Sequence, residues 1–414
     1  MTNPRLRLAS GLALAYSLAL LGDQMLYVYL PSHPAAAGIA AASLGVILSA
    51  NRFVRLAANS LAGLLSDRLG RSRPYLLGMG LAVASTAGYL AADGFWLLVF
   101  SRVLWGMAFA LIHVGGAAIM LDLSTEENRG RTIGGYQAMA RLGTLLGLLL
   151  SGFLTDWIGY RATLALYVPL AVLGLGIAVL VLRGWRPPRA SPAPAERGSR
   201  PGTLAVLRRL DPRLLAPAYV NFTTFFAMSG LLASTLGMQL ASLAGSAGWL
   251  IPVASLTGAL LAVRHVAGMV EAPLAGYLLD RVGDRRPIAG AGVLVTLLGF
   301  AILVKGGSVE WVIAGVVLAA MGEALILPSV VVWTGDSAPP AHRGVVMGGL
   351  ATAGDLGSAL GPLVGYGLFA TGGMGVAYAL GTGLLASALL VLALVPRARS
   401  YSGSTPSPTP MRFV

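Results

Sequence analysis

Long apolar segments separated by short polar connections extend along the chain. Each segment has about 20 mostly apolar residues, the length that an α-helix needs to cross the hydrocarbon core of a bilayer. The segments are continuous apolar runs and not short alternating stretches, so a transmembrane β-barrel is disfavoured. Twelve membrane spans are predicted, at about residues 8–30, 39–65, 74–93, 95–121, 131–154, 161–183, 214–241, 248–278, 287–304, 310–334, 344–370 and 374–396.

The composition agrees with a membrane protein that crosses the bilayer many times. Hydrophobic residues make up 56% of the chain and charged residues 11%, whereas a soluble domain has about 25% charged residues. This balance excludes a soluble enzyme, a disordered protein and a fibrous protein. The first apolar segment is longer than the core of a signal peptide and no cleavage site is evident, so a membrane span is expected there.

Arginine clusters in alternate connections predict the topology. The net charge of +13 does not indicate nucleic-acid binding, because the basic residues lie in short groups between the apolar segments. Such groups precede span 1 and follow spans 2, 4, 6, 8, 10 and 12, whereas only Arg161 and Lys305 lie in the opposite connections. The positive-inside rule therefore predicts a multi-pass protein of the cell (inner) membrane with both termini in the cytoplasm.

A Pro- and Arg-rich connection divides the spans into two groups of six. It contains the sequence WRPPRASPAPAERGSRPG and lacks apolar periodicity. The predicted organisation is an N-terminal six-helix bundle (1–183), a cytoplasmic linker (184–213), a C-terminal six-helix bundle (214–399) and a disordered cytoplasmic tail (400–414).

The two halves carry the same short motif after their second spans. Asp67 and Asp280 are equivalent in the two copies, and Asp284 stands in the second copy where Arg71 stands in the first. Other matches between the halves have nearly the same offset, which indicates a duplicated six-helix unit, as many secondary transporters have. The glycines permit close packing or a tight turn, and Asp67 is expected to cap a helix or to pair with Arg71. The motif residues are Gly63, Asp67, Arg68, Gly70, Arg71 and Arg73 in the first copy and Gly276, Asp280, Arg281 and Gly283 in the second.

The first copy, G-x-x-x-D-R-x-G-R-x-R, resembles the loop signature of the major facilitator superfamily, and the resemblance extends over essentially the whole chain. It implies twelve helices in two pseudo-symmetric six-helix bundles, with a central site exposed alternately to either side of the membrane. It also implies that the loop motifs act as conformational switches; the alternative is a topology anchor without such a role. Three further stretches are similar to family motifs: Arg102-x3-Gly106 on span 4, the antiporter-like Gly357-x3-Gly361-Pro362 on span 11 and, lacking the proline, Gly143-x3-Gly147 on span 5.

Ionisable side chains at membrane depth are costly and usually functional. The interiors of spans 3, 6, 9 and 12 contain none, and the resemblance implies that these four helices are the outermost. The ionisable residues within the other spans are Asp23, Arg52, Arg55, Arg102, His113, Arg141, Arg264, His265, Glu271, Glu323 and Asp355.

Depth in the membrane predicts an ion pair between the two halves. Arg55 lies just over three helical turns before Asp67, and Asp355 lies equally far after Arg343. At 1.5 Å per residue, both side chains are about 18 Å from the cytoplasmic end of their helices. Because helices 2 and 11 face each other in the resembled fold, Arg55 and Asp355 are expected to pair, with Arg52 as the alternative partner.

Two further pairs follow from the same comparison of depths. Arg141 and Glu271 are expected to pair across helices 5 and 8, and Asp23 is expected to pair with Arg102 across helices 1 and 4. Each pair is either a gate that breaks during transport or a static contact that fixes the register of the helices.

Asp23 and Glu323 are the predicted proton-coupling residues. Glu323 has no evident partner in the sequence, and a lone carboxyl group in an apolar span is readily protonated. His113 is either a proton carrier or a packed, hydrogen-bonded histidine. The predicted contacts with a substrate in the cavity are Arg52, Arg102, His113, Arg264, His265 and Asn221.

These features predict a secondary active transporter that works as a monomer by alternating access. Proton-linked export of an amphipathic organic compound is expected; the alternatives are uptake or exchange of an organic anion or lysolipid, and a transport-silent membrane sensor. The expected partners are a small organic substrate, protons and membrane lipids, without nucleic acid. No enzyme activity, cofactor or metal site is predicted, because the chain has no Cys, no P-loop and no nucleophile–base constellation.

The absence of native cysteine makes the topology directly testable. A single Ser191→Cys substitution in the linker should react with a membrane-impermeant maleimide only after the cells are opened. Modification of Ser191→Cys in intact cells would place the linker outside and refute the predicted orientation.

Overall fold

The computed structural model describes residues 4–125, 128–185, 214–247, 251–282, 284–338 and 342–395. Every regular element in these ranges is helical, which confirms the predicted all-α membrane fold. Most of the predicted linker and the whole of the predicted tail lie outside the described residues. Gly283 of the second loop motif lies outside them as well.

Six helices form the N-terminal bundle. Two short 3₁₀ turns, Pro34–Ala37 and Ala41–Ser43, connect the first two helices. The helices are α1 (Pro4–Tyr29), α2 (Leu44–Leu69), α3 (Ser72–Ala91), α4 (Phe95–Leu123), α5 (Arg129–Ile158) and α6 (Tyr160–Leu182).

The C-terminal bundle contains two irregular helices. The first, α7, consists of Leu215–Thr224, a π-helical segment Phe225–Leu232 and Ala233–Ala247. The last helix, Arg343–Leu394, breaks at Gly373, whose φ of 74° is left-handed, into α11 (343–372) and α12 (374–394). Between them lie α8 (Val253–Arg281), α9 (Arg286–Lys305) and α10 (Val309–Ser337). Within the described residues, eleven continuous helices are long and apolar enough to cross a membrane, and the break at Gly373 makes the spans twelve, as predicted.

The helices pack as two bundles that meet along two seams. Within the N-terminal bundle α1 packs on α5 and α6, and α4 packs on α2 and α3; within the C-terminal bundle α10 packs on α8 and α9. One seam joins α2 to α11 and the other joins α5 to α8. We call the end where α2 meets α3 and α8 meets α9 the arginine-rich face.

Two salt bridges at the arginine-rich face repeat the same contact in both bundles. Arg71 Nε donates to Asp122 Oδ2 at 2.8 Å, and Arg285 Nε donates to Asp336 Oδ2 at 3.2 Å. The two arginines are separated along the chain by the same interval as the two aspartates. Arg285 therefore takes the role of Arg71, which explains how the second motif tolerates an aspartate at position 284.

The expected pairing of Asp67 with Arg71 is not formed, because Arg71 reaches across to the end of α4 instead. Asp67 is exposed and makes no ion pair within the described ranges. In the second copy Asp284 binds Arg286 at 2.6 Å, and Arg281 stacks on the ring of Tyr277. The side chains of Gly276 and Asp280 lie outside the described residues.

Both seams are closed at the end opposite the arginine-rich face. Gly45 of α2 lies against the backbone of α11 at Pro362, and Gly152 and Gly258 bring α5 and α8 into backbone contact. Asp156 Oδ2 of α5 also accepts hydrogen bonds from the backbone N–H and the hydroxyl of Ser255, both at 2.6 Å. This carboxylate caps the N-terminus of α8, where an anion is favoured by the helix dipole.

The same seams are open toward the arginine-rich face. Side chains added at Gly134 of α5, Gly268 of α8 or Gly348 of α11 would meet no atom within 4 Å. The protein is thus in a conformation that opens the space between the bundles toward the arginine-rich face.

Exposed tryptophans mark the membrane boundary at the closed end. Trp96 begins α4, Trp157 ends α5 and Trp311 begins α10, with exposed fractions of 79%, 73% and 59%. Tryptophan is enriched at membrane–water interfaces because its ring is amphipathic. Arginines at one end and tryptophans at the other therefore bracket the apolar surface of the bundles.

We predict that Gly258→Ala shifts the protein away from this conformation. The added methyl group would meet the carbonyl oxygen of Leu148 on α5, so the closed ends of α5 and α8 must separate. The distance between spin labels on the closed ends of these helices should increase. Gly176→Ala on α6, where the methyl group meets open space, should leave that distance unchanged; an unchanged distance in Gly258→Ala as well would contradict the seam described here.

Candidate functional site

A cavity of about 500 Å³ lies between the two bundles. Its walls come from α1, α2, α4, α5, α7 and α8, with no lining residue from α3, α6, α9 or α12 among the described residues. The helices without internal charges are thus excluded from the cavity. It reaches toward the arginine-rich face as far as Ile133 and Gln137 on α5.

Aromatic side chains form the N-terminal wall of the cavity. Phe109 lies 6.3 Å from both Tyr16 and Trp105 in edge-on contacts, and Tyr16 stacks on Tyr136 at 6.1 Å. His113 stacks on Phe109 at 5.4 Å between ring centroids. This wall can hold an apolar or aromatic body, because aromatic rings bury large areas in defined geometries.

The Asp23–Arg102 contact lies behind the aromatic wall. The Arg102 side chain has no exposed surface and donates to Asp23 Oδ1, to Tyr27 Oη at 2.8 Å and to Asn51 Oδ1 at 2.8 Å. Its Nε donates to the carbonyl oxygen of Ile47, and the Nη2 that binds Tyr27 and Asn51 also lies 3.3 Å from the carbonyl oxygen of Leu48. The guanidinium is fully occupied, so the structure does not place Arg102 where a substrate can touch it, whereas Asp23 does line the cavity.

The predicted contact between Arg55 and Asp355 is present and crosses the α2–α11 seam. Arg55 Nη2 lies 2.7 Å from Asp355 Oδ1, and Asn59 donates to the other carboxylate oxygen at 3.2 Å. The Arg55 guanidinium also lies 4.0 Å from the centre of the Phe109 ring, a cation–π distance. The Arg55–Asp355 contact is linked in this way to the aromatic wall, and its role as a gate that opens during transport stays a prediction.

Glu323 has a partner, contrary to the expectation from sequence. Arg264 Nε and Nη2 donate to the two carboxylate oxygens of Glu323 at 2.9 and 2.7 Å, and Nη2 also donates to Ser229 at 3.0 Å. Ser229 belongs to the π-helical segment of α7. The cluster therefore joins three helices of the C-terminal bundle, and only Ser229 and Arg264 reach the cavity surface.

The same depth argument that paired Arg55 with Asp355 also identifies this contact. Arg264 lies about three helical turns after Val253, and Glu323 lies about four turns after Val309, both counted from the closed end. That the two helices are neighbours is tertiary information, which the sequence alone does not contain.

Arg141 and Glu271 are not paired in this conformation. Contacts at Gly152 and Gly258 set the register of α5 against α8, which places Arg141 opposite His265; both line the cavity. Glu271 lies more than one helical turn nearer the arginine-rich face, and its Oε2 is buried without a partner among the described residues. Helical side chains lean toward their own N-terminus, so on these antiparallel helices Arg141 and Glu271 lean toward each other. Closure of this seam is predicted to join them.

The remaining predicted contacts differ in position. Arg52 lines the cavity, with its guanidinium 5.8 Å from the centre of the Tyr27 ring. Asn221 is buried and donates to the carbonyl oxygen of Leu350 at 2.8 Å, a tie between α7 and α11. It is absent from the cavity wall, because its amide satisfies the backbone of the neighbouring helix.

Two repeated six-helix bundles around a central cavity open at one end define a membrane transporter. The family profile described as Major Facilitator Superfamily matches residues 12–271 and 255–411. The chain belongs to this superfamily.

Similarity to individual relatives is low. The chain is 28% identical to the human vesicular acetylcholine transporter over 246 residues, which is 59% of this chain and 43% of the relative. It is 26% identical to multidrug resistance protein MdtG of Dickeya zeae over 257 residues (61% and 60%) and 25% identical to multidrug resistance protein Stp of Mycobacterium tuberculosis over 351 residues (72% and 64%). Each alignment spans less than two thirds of the relative.

Solved transporter structures share the fold. A mutant form of the nucleoside transporter NupG superimposes with a TM-score of 0.77 at 12% identity, covering 94% of this chain and 99% of that structure. The human organic anion transporter MFSD10 gives a TM-score of 0.64 at 20% identity, covering 94% and 100%. At these identities the likeness concerns the fold and not the substrate.

We predict that Asp355→Asn impairs transport by leaving Arg55 without a countercharge. Removing one partner of a buried ion pair destabilises the protein by about 3–5 kcal/mol. The substitution therefore destabilises the conformation in which the pair is formed. The double variant Arg55→Asp/Asp355→Arg should recover part of the transport rate in proteoliposomes. A double variant as inactive as Asp355→Asn would show that the contact does more than balance charge.

Proposed function

We propose that the protein exports an amphipathic organic compound in exchange for protons. The observation that carries this proposal is the central cavity, which combines an aromatic wall with carboxylate–arginine pairs at its edges. A compound with an apolar body and a polar group is complementary to such a surface. The opening toward the arginine-rich face, which the charge distribution assigns to the cytoplasm, supports loading of the substrate from the cell.

Proton coupling is assigned to the two carboxylates that are bound by arginines inside single bundles. Asp23 holds Arg102 in the N-terminal bundle, and Glu323 holds Arg264 in the C-terminal bundle. Protonation of either carboxylate removes one negative charge and weakens its charge-assisted hydrogen bonds. The arginine then binds another acceptor. This change stabilises the two states of the transporter, open to one or the other side of the membrane, to different extents.

The Arg264–Glu323 cluster is the more direct of the two links to the substrate. Arg264 and Ser229 line the cavity, whereas Arg102 has no exposed surface. Protonation of Glu323 therefore releases the Arg264 guanidinium from its carboxylate partner. Because Arg264 lines the cavity, a substrate can then bind to it. Export is further supported by two relatives named for multidrug resistance.

We predict that Glu323→Gln and Asp23→Asn abolish gradient-driven transport and leave substrate binding or gradient-free exchange partly intact. The amide side chains keep the shape of the carboxylate but cannot release a proton. The measurement is substrate transport in proteoliposomes with and without an imposed pH difference. Asp93→Asn, which alters an exposed carboxylate outside the cavity, is the matched control and should behave like the unmodified protein.

Three outcomes would overturn parts of this proposal. Accumulation driven by a pH difference in both neutralised variants would remove these carboxylates as coupling sites. An unmodified protein that transports but ignores the pH difference would instead be a facilitator, an exchanger of organic anions or lysolipids, or a sodium-linked transporter. The absence of any substrate movement, with ligand binding preserved, would indicate a membrane sensor.

A further inference from the structure

We propose that the transported compound is an organic anion and that its negative group binds to Arg52. This inference rests on the proposed transport of an amphipathic compound and names the chemical class of that compound. It follows from the balance of charges around the cavity and from the surroundings of this arginine.

The charges around the cavity do not cancel. Three arginines have carboxylate partners, in the pairs Arg55–Asp355, Arg102–Asp23 and Arg264–Glu323. Two arginines on the cavity wall have no carboxylate within 4 Å in the described ranges, namely Arg52 and Arg141. Glu271 does not compensate them, because it is not part of the cavity wall. Two positive charges therefore face a cavity enclosed by membrane-spanning helices.

Arg52 has no carboxylate partner of its own among the described residues. It lies three residues before Arg55 on the same helix, so the two guanidinium groups share one face of α2. Asp355 neutralises Arg55 at 2.7 Å, but no acidic side chain of the described chain does so for Arg52. The Nε of Arg52 is buried and lacks a hydrogen-bond acceptor. An anion that binds the part of this guanidinium facing the cavity supplies the countercharge that no described carboxylate provides.

The neighbours of Arg52 hold it at the cavity surface. Tyr27 presents its ring 5.8 Å from the Arg52 guanidinium, and the Tyr27 hydroxyl is fixed by Arg102 at 2.8 Å. The adjacent Asn51 is bound to the same arginine at 2.8 Å. Arg52 therefore lies on a helix, α2, that the buried Arg102 cluster fixes in place. A guanidinium offers two parallel N–H donors to a carboxylate, sulfonate or phosphate group.

Arg141 and the aromatic wall complete the site. Arg141 is exposed within the cavity on α5, at the opposite seam from Arg52. Its charge attracts anions toward the cavity, while Tyr16 and Phe109 lie on the helices between the two arginines. The apolar body of the substrate packs on this wall, and its anionic group reaches Arg52. A cationic compound of the same shape would meet uncompensated positive charge.

The test compares three probes that share one ring system and differ in charge. These are 1-naphthaleneacetate, its neutral amide 1-naphthaleneacetamide and the cation 1-naphthylmethylammonium. Binding to the full-length protein in lipid nanodiscs is measured by equilibrium dialysis without a pH gradient, and binding to empty nanodiscs is subtracted. We expect the anion to bind at least about tenfold more tightly than the amide, and the cation to bind least.

Substitutions at Arg52 then test whether this arginine causes the preference for the anion. Arg52→Gln should lower the affinity for the anion about tenfold or more and leave the affinity for the amide unchanged. Arg52→Lys should retain part of the preference, which separates loss of charge from misfolding. Arg161→Gln, which removes an exposed arginine outside the cavity, should leave the binding of both probes unchanged.

Two results would overturn the inference. One is an unmodified protein that does not prefer the anion, including one that binds none of the probes. The other is an Arg52→Gln variant that keeps the full preference. Neither result concerns the pH gradient, so the proposed proton coupling would stand. Conversely, transport that ignores a pH difference would leave the anion site intact.

Discussion

The buried guanidinium of Arg102 constrains the N-terminal bundle more than any other group. Within a membrane an unpaired charge costs several kcal/mol, so each donor of this arginine must find an acceptor inside the protein. It does so on two other helices, through Asp23 and Tyr27 of α1 and through Asn51 and the carbonyl oxygens of α2. Helices α1, α2 and α4 are therefore fixed relative to one another, and α1 and α2 carry residues that face the cavity on this fixed frame.

Glycine allows such a bundle to move against its partner as a unit. At the closed end, Gly152 and Gly258 let the backbones of α5 and α8 touch, and Gly45 does the same for α2 and α11. Backbone contacts between small residues are held by close packing and involve no interlocked side chains, as is common for membrane helices. Asp156 adds a polar contact at the end of the seam, where water can replace it. The contacts that hold the closed end are thus of a kind that can be broken without unfolding a helix.

Much of the architecture was predictable from sequence, because the lipid imposes it. Spans of apolar residues, arginines in alternate connections and a repeated loop motif together predict twelve helices in two halves. The predicted spans 344–370 and 374–396 also leave the last connection at residues 371–373, where the structure places the break at Gly373. Depth along the helices predicted the Arg55–Asp355 contact once the family resemblance had implied that helices 2 and 11 face each other, because the long Arg55 side chain can reach a carboxylate at the same depth.

The partners of the charged side chains were harder to predict from the sequence. Glu323 looked unpartnered because Arg264 is distant in sequence and no motif joins them; only the packing of α8 against α10 brings them together. The sequence offered two roles for Asp67, capping a helix or pairing with Arg71, whereas the partner of Arg71 in the structure is Asp122 at the end of α4. In each case the error concerned which helix is the neighbour, a property of tertiary packing that residue types do not encode.

The three ion pairs around the cavity differ in what their rupture would do. Asp23–Arg102 and Glu323–Arg264 lie within single bundles, so these contacts do not depend on how the two bundles sit against each other. Arg55–Asp355 lies between bundles and must respond to their relative movement. Arg55 contacts Asp355 across the seam and Phe109 in the aromatic wall, and it lies one helical turn from Arg52. An anion bound at Arg52, as proposed above, would lower the positive potential at Arg55. On that proposal, occupancy of the cavity would be connected electrostatically to the α2–α11 seam.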